Sequence, residues 1–213
     1  MIKPFTFNHY GVNCYVVSDE GSRQCAIVDP SAETPFEDSL LAQYLSQKNL
    51  TPTQILLSHA HVDHIAGLRQ ACRRYNLPAT LHAEGRPLLA TARQWGYGMG
   101  FDVDNMDDLA VNEVADGEVL HLGQTDIECR FVPGHCPGSL CFVVPQEKAV
   151  LTGDALFHFS IGRTDLPGGD YPTLIGKLKT RVLTLPDDYR VLPGHGIEST
   201  IGKERKYNSF LNA

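Results

Sequence analysis

The chain has 213 residues, 42% of them hydrophobic and 20% charged, with a formal net charge of −7. That length can bury roughly 70% of its unfolded surface, so residues 1–213 are expected to form a single domain. The acidic balance argues against nucleic acid as a partner, and no run approaches the ~20 apolar residues that span a bilayer. No apolar signal core follows Met1, which makes the cytoplasm the expected compartment and a small molecule the expected partner. The six cysteines contain no Cys-x-x-Cys pair and read as buried thiols rather than a disulfide framework. Oligomeric state is not legible at this level.

In chain order, Cys14–Val17 and Ala26–Asp29 read as the strands of a hairpin. Pro35 to about Lys48 reads as an amphipathic helix with Phe36, Leu40, Leu41, Tyr44 and Leu45 on one face. Ile55-Leu56-Leu57 is a buried strand. Asp63 suits a helix start, and apolar residues at 65, 68, 72 and 75 keep helical spacing after it. A second helix is expected over Glu84–Trp95, followed by a flexible stretch, Gly96-Tyr97-Gly98-Met99-Gly100, read as a mobile cover over a cleft. The acidic run through Asp108 fails as a calcium loop, because Asp107 stands where the sharp turn needs glycine.

A further apolar strand ends at Val132, before the turn Pro133-Gly134-His135-Cys136-Pro137-Gly138. Cys141–Val144 and Ala149–Leu151 then form a hairpin running on to Asp154. A helix from Pro172 to about Leu183 and a strand at Val191-Leu192 lead to the turn Pro193-Gly194-His195-Gly196. The second half therefore repeats the first: hairpin, helix, then a strand ending in a histidine turn. Such a duplication implies two similar halves packed sheet to sheet with helices outside, an α/β fold of four αββα layers.

The densest chemistry is His59-Ala60-His61-Val62-Asp63-His64, directly after the apolar run. Three imidazoles and a carboxylate at a strand end are ligand types for zinc, iron and manganese, and a loop can turn His59 and His61 to one ion and Asp63 and His64 to another. His135, Asp154 and His195 each sit on a small-residue turn just past a short apolar strand. The ends of several strands at one sheet edge are where open α/β folds build sites, so these seven residues form one candidate ligand set. Asp29 is a candidate orienter of a ligating imidazole, with a plain turn residue before Pro30 as the equal alternative. Cys136, Ser58 and Ser139 read as turn residues. His9, His82, His121 and His158 lack partners at ligand spacing, although His158 follows Asp154 closely enough to line the same cleft.

The order His-x-His-x-Asp-His followed by a lone His, Asp and His resembles the metallo-β-lactamase fold. Within it the sequence is most similar to the short, single-domain branch of the glyoxalase II-like (hydroxyacylglutathione hydrolase-like) hydrolases. The likeness runs from Gly11-Val12-Asn13-Cys14-Tyr15 through Ile27-Val28-Asp29-Pro30 to the Gly194-His195 turn. It implies two divalent metal ions, zinc in the first instance with iron or manganese as alternatives. In the family's pattern His59, His61 and His135 hold one ion, Asp63, His64 and His195 the other, and Asp154 bridges them beside a shared water or hydroxide. Asp63 and Asp154 are then the catalytic candidates, and the implied reaction is thioester hydrolysis.

A persulfide dioxygenase, a lactonase and a non-catalytic metal-binding member are the alternatives. Gly162-Arg163-Thr164-Asp165 resembles the first of these, though such proteins typically lack the final Gly-His-Gly turn. A class B β-lactamase of the commoner kind would carry arginine at position 64 and cysteine at position 154. In glyoxalase II the loop after the bridging aspartate carries a lysine and a tyrosine that contact glutathione. Here Arg163 and Asp165 fall near those places, so they are the candidate substrate residues, with weak selection of glutathione expected, or else a simple pair with each other. Glyoxalase II also has a C-terminal helical domain, whereas this sequence ends at Ala213 soon after a helix starting near Ile201, as expected of the short branch.

Overall fold

The computed structural model describes residues 1–212. Its first half runs β1 (Ile2–Phe7), β2 (Val12–Ser18), β3 (Gln24–Val28), α1 (Pro35–Gln47), β4 (Thr51–Leu56), α2 (Leu68–Tyr75), β5 (Ala79–Leu81), α3 (Arg86–Leu89), α4 (Ala92–Met99) and β6 (Val111–Glu113). The second half runs β7 (Val119–Leu122), β8 (Thr125–Phe131), β9 (Leu140–Val144), β10 (Ala149–Gly153), β11 (Leu156–Phe157), β12 (Ser160–Ile161), α5 (Tyr171–Lys177), β13 (Arg190–Pro193), β14 (Ser199–Thr200) and α6 (Ile201–Tyr207). The strands make two six-stranded sheets, β1-β2-β3-β4-β5-β6 and β14-β13-β10-β9-β8-β7, with β11-β12 as a separate small hairpin. The duplication read from the sequence appears as matched topology. In each half an antiparallel hairpin (β2-β3, β9-β10) leads through a helix to a strand parallel to the hairpin's second member (β4, β13).

Why these strands read as nearly unbroken apolar runs is clear from their two faces. Tyr15, Val17, Ala26, Val28 and Leu56 point inward against Ile127, Phe142, Val144 and Leu151 of the other sheet. The alternate residues point outward. Cys14, Val16, Cys25 and Ile27 pack under Leu41 and Leu45 of α1, while Cys141, Val143, Val150 and Val191 pack under Leu174 of α5 and Ile201 of α6. The result is the expected αββα sandwich. All six cysteines are buried and free. Among the described residues no helix is long and apolar enough to cross a membrane.

The helices depart from expectation in four places. In α1 only Leu41 and Leu45 are buried; Phe36, in the first turn, lies off that narrow stripe and is 71% exposed. The next helix starts at Leu68 instead of Asp63. Residues 61–67 form tight turns, with His64 N–H bonded to the His61 carbonyl at 3.0 Å and Gly67 N–H to the Pro30 carbonyl at 2.9 Å. A Cβ on Gly67 would sit 2.6 Å from the Ala32 carbonyl oxygen, so this close approach sets where the helix begins. The span Glu84–Trp95 is divided among a single 3-10 turn, α3 and α4, since the Leu89 carbonyl accepts from Met106 N–H at 2.8 Å instead of continuing a helix. Finally, the glycine-rich stretch, expected to be flexible, forms the second half of α4, closed by Gly100 in the left-handed region at φ +83°.

Candidate metal centre

The C-terminal ends of β3, β4, β8, β10 and β13 all reach one rim of the sandwich, where Asp29, the 58–64 loop, His135, Asp154 and His195 follow them. Two backbone bonds tie the sheets together there: Leu140 N–H to the Ser58 carbonyl and Asn13 N–H to the Gly194 carbonyl, both 2.7 Å. The Asn13 amide nitrogen also donates to the carbonyls of Pro193 at 3.0 Å and Gly196 at 2.9 Å, clamping the last histidine turn. The glycines before Asp154 and His195 are demanded by space. A Cβ on Gly153 would meet Ser58 Oγ at 2.4 Å, and one on Gly194 would meet Asp154 Oδ1 at 2.3 Å.

All seven candidate ligands converge. His61 Nδ1 and His135 Nε2 lie 3.0 Å apart, with the His59 ring centroid 4.7 Å from that of His61 and 5.1 Å from that of His135. In the neighbouring group, His195 Nε2 lies 3.3 Å from His64 Nε2 and 3.3 Å from Asp63 Oδ2. Asp154 sits between the groups, Oδ1 being 3.2 Å from His64 Nε2 and Oδ2 3.5 Å from His195 Nε2 and 3.7 Å from His135 Nε2. Ligands at ~2.0–2.1 Å around a tetrahedral ion stand ~3.3–3.4 Å from one another, close to these spacings.

Whether the residues suit cations can be tested from their outward hydrogen bonds. His135 Nδ1 faces the Arg163 carbonyl at 2.8 Å and His195 Nδ1 the Tyr10 carbonyl at 3.1 Å. His64 Nδ1 faces Asp29 Oδ2 at 3.0 Å. Ser58 Oγ donates its one hydrogen to Asp29 Oδ2 at 2.6 Å, so at 3.1 Å it accepts from His59 Nδ1. Each of these four imidazoles therefore carries its proton on Nδ1 in the neutral form and turns the Nε2 lone pair inward. His59 Nε2 and Asp154 Oδ1 are buried without any hydrogen-bond partner. Converging lone pairs and two carboxylates, with donors only on the outside, fit a pair of cations.

Electrostatics divide the imidazoles into two sets. Burial, then the neighbouring imidazoles, pushes His59 well below the usual histidine range, and burial with His135 lowers His61 to about 4. Burial works against charging His64 and His195 too, but there the carboxylates of Asp154 and Asp63 win and hold both above the usual range. Those protons compete with metal, so loading the site releases them.

Asp29 adopts φ +51°, and its Oδ1 also accepts the Ser58 N–H at 2.7 Å. Ser58, read from sequence as a turn residue, is thus the link between Asp29 and His59. Cys136 Sγ lies within 4.8 Å of ligand atoms of His59, His61 and His135. It contacts Ser139 Oγ at 3.3 Å, and burial pushes its thiol up to about 12. Arg163 lines the cleft above the centre but donates two bonds to Asp165, 2.7 and 2.8 Å. His158 packs against Phe159, ring centroids 3.9 Å apart and planes tilted by 34°, and is not part of the cleft lining. His9, expected to be ordinary, contacts Glu33 Oε2 at 2.8 Å and the Met99 carbonyl at 3.1 Å, joining the turn between β1 and β2 to α4.

A family profile, the metallo-β-lactamase superfamily, matches residues 8–195. Among curated relatives, the probable metallo-hydrolase YqgX of Bacillus subtilis is 39% identical over 99% of this chain and 95% of its own. The hydroxyacylglutathione hydrolase GloC of Haemophilus influenzae is 34% identical over 94% and 93%. Two solved structures are also alike. The BLEG-1 B3 metallo-β-lactamase has a TM-score of 0.90 at 31% identity, covering 100% of both chains. TTHA1623 in a di-iron-bound form has a TM-score of 0.86 at 35% identity, covering 98% of this chain and 100% of that one. With the fold, the strand-end cluster and the similarity extending along nearly the whole sequence, the chain belongs to the metallo-β-lactamase superfamily as a metallo-hydrolase.

Proposed function

We propose that the protein is a dinuclear metal-dependent hydrolase acting on thioesters, with His59, His61 and His135 holding one ion, Asp63, His64 and His195 the other, and Asp154 serving both. The observation that carries the metal part is the set of four imidazoles whose Nδ1 atoms face only acceptors, leaving their Nε2 lone pairs inward. When bound, two such ions supply Lewis acidity toward a carbonyl and lower the pKa of a shared water toward neutrality. Zinc and iron are both candidates, the second because a relative 35% identical was solved with two irons. The thioester part is supported by the likeness to GloC, named a hydroxyacylglutathione hydrolase.

The chain's own residues then divide the remaining work. Asp29 fixes His64 directly and His59 through Ser58, one imidazole in each group. Burial alone would raise the carboxyls of Asp63 and Asp154, but His64 and His195 hold both below the usual range. That holds while the two imidazoles carry their protons; with ions bound, Asp63 and Asp154 would be poor bases because they hold the ions, and would act by placing charge and orienting a proton on the cleft side. Asp165, paired with Arg163, would compete with the carboxylates of glutathione for that guanidinium.

Elemental analysis of the purified protein, paired with kcat/KM for lactoylglutathione, a matched small-thiol lactoyl thioester and a cephalosporin, tests this reading. Two ions per chain and thioester cleavage, with the two lactoyl esters within about tenfold of each other, are expected. One ion per chain under saturating supply would sink the dinuclear part. Faster cleavage of the cephalosporin would favour a second reading, β-lactam hydrolysis, for which the similarity to BLEG-1 speaks.

A further inference from the structure

The cleft over the two histidine groups encloses about 430 Å³, a volume typical of small-molecule sites. Its polar floor is His61, Asp63, His135 and Asp154 of the ligand set, and most of its remaining lining is apolar. One wall is a helical stripe of Ala92, Trp95 and Met99 in α4, spaced three and four residues apart so that they share one side, with Leu88 of α3 lining the cleft as well. Leu166 and Pro167 line it too. Among the described residues Arg163 is the only lysine or arginine on the lining, and it pairs with Asp165.

This wall is braced. Gly96 lets α4 seat closely, since a Cβ there would lie 2.7 Å from Val103 Cγ2 and 3.4 Å from Val62 Cγ2. His9 holds the Met99 carbonyl at the helix end, and its ring packs against Phe101 with centroids 4.5 Å apart. Trp95 nonetheless stays 42% exposed. A half-bare indole on a firm apolar wall beside a candidate centre is surface that a ligand would cover.

We infer that the group this cleft takes beside the scissile bond is uncharged and apolar, an aliphatic or aryl substituent, and that Trp95 and Met99 determine that preference. The inference relies on the thioester reading for the bond cleaved and on the wall alone for the group next to it. The substituent belongs to either the acyl or the thiol half, the wall's chemistry being the same for both. Each methylene moved from water onto the wall should improve kcat/KM or affinity about fourfold until the wall is covered.

Two substrate series locate the half. Acetyl, butanoyl and hexanoyl thioesters of N-acetylcysteamine lengthen the acyl side, and S-ethyl, S-butyl and S-hexyl thioacetates lengthen the thiol side. A rise of about fourfold per methylene is expected in one of them. Trp95→Ala should reduce the hexyl-to-ethyl or hexanoyl-to-acetyl ratio about tenfold. Binding is read separately from turnover, because Trp95 is the chain's single tryptophan. Uncleavable S-butyl- and S-hexyl-N-acetylcysteamine should blue-shift its emission, the longer one binding more tightly, and both more tightly than their glutathione counterparts.

Flat rates in both series, together with unchanged Trp95 emission, would overturn the apolar assignment even if thioesters are cleaved. Chain-length-dependent emission shifts without any thioester cleavage would keep the apolar assignment and remove the thioester reading instead.

Discussion

Replacing Asp29 by asparagine should reverse the protonation of two histidines without removing a single candidate ligand. Asp29 Oδ1 accepts the Ser58 N–H, while Oδ2 accepts from Ser58 Oγ and His64 Nδ1. An amide that keeps its oxygen at the Oδ1 place puts NH₂ where Oδ2 was. His64 Nδ1 must then accept, which moves its proton to Nε2, facing Asp154. Ser58 Oγ must likewise accept from the amide and turn its own hydrogen to His59 Nδ1, so His59 Nε2 also gains a proton. The flipped amide avoids this only by setting NH₂ against the buried Ser58 N–H, at about 1–3 kcal/mol.

Disturbing the outer partner of a metal-binding histidine typically costs 10–100-fold in affinity. Competition titration against a chromophoric chelator should therefore show both binding constants of Asp29→Asn weakened by about that factor. Ser58→Ala, which leaves the Asp29–His64 contact alone, should weaken only the one to which His59 belongs. Asp29→Asn with both constants within about twofold of wild type would refute the orienting role.

The other expectations concern the frame. Gly96→Ala forces a Cβ to 2.7 Å from Val103 and should destabilise by about 1–3 kcal/mol, whereas Gly98, with nothing within 4 Å of its Cβ position, should accept alanine with a gain of up to about 1 kcal/mol; urea melts separate the two. Glu204 is fully buried in α6, accepting from Phe159 N–H at 3.0 Å, Asn208 Nδ2 at 2.8 Å and Ser199 Oγ. Glu204→Ala strands those donors and should cost about 3–5 kcal/mol in the same melts. Asp19, bonded by Ser22 N–H and Thr125 Oγ, has its carboxyl lowered to about 2, chiefly by Ser22. A lowered carboxyl stabilises the fold above its unfolded value near 4 and ceases to as pH falls through about 2. The Tm gap between wild type and Asp19→Ala should thus be full at pH 6 and close by pH 2, and a gap that persists there would show that the carboxylate charge is irrelevant.

The sandwich was legible because its signals are short-range. The short apolar runs at Cys14–Val17 and Cys141–Val144, and the repeat of hairpin, helix and strand, depend on neighbours in sequence. The seven candidate ligands were legible for a similar reason, since donor chemistry and the small residues needed to turn the chain at Gly153 and Gly194 are written locally. What failed depended on segments that meet only in the fold. Helical spacing at 65, 68, 72 and 75 says nothing of the Pro30 and Ala32 carbonyls that hold Gly67 and delay α2 to Leu68. Gly96 looked like flexibility because glycine lowers helix propensity, yet it serves close packing on Val62. The acceptors that set His135 and His195 are main-chain carbonyls of Arg163 and Tyr10. Any residue type supplies a carbonyl, so no composition or spacing could mark them. Ser58 was hidden differently, because a serine beside a histidine at a strand end is ordinary until Asp29, turned into the left-handed region, brings its carboxylate within reach. Local sequence thus carries which atoms are offered at this centre, while their protonation is imposed, directly or through Ser58, by acceptors from 28 to 185 residues away along the chain.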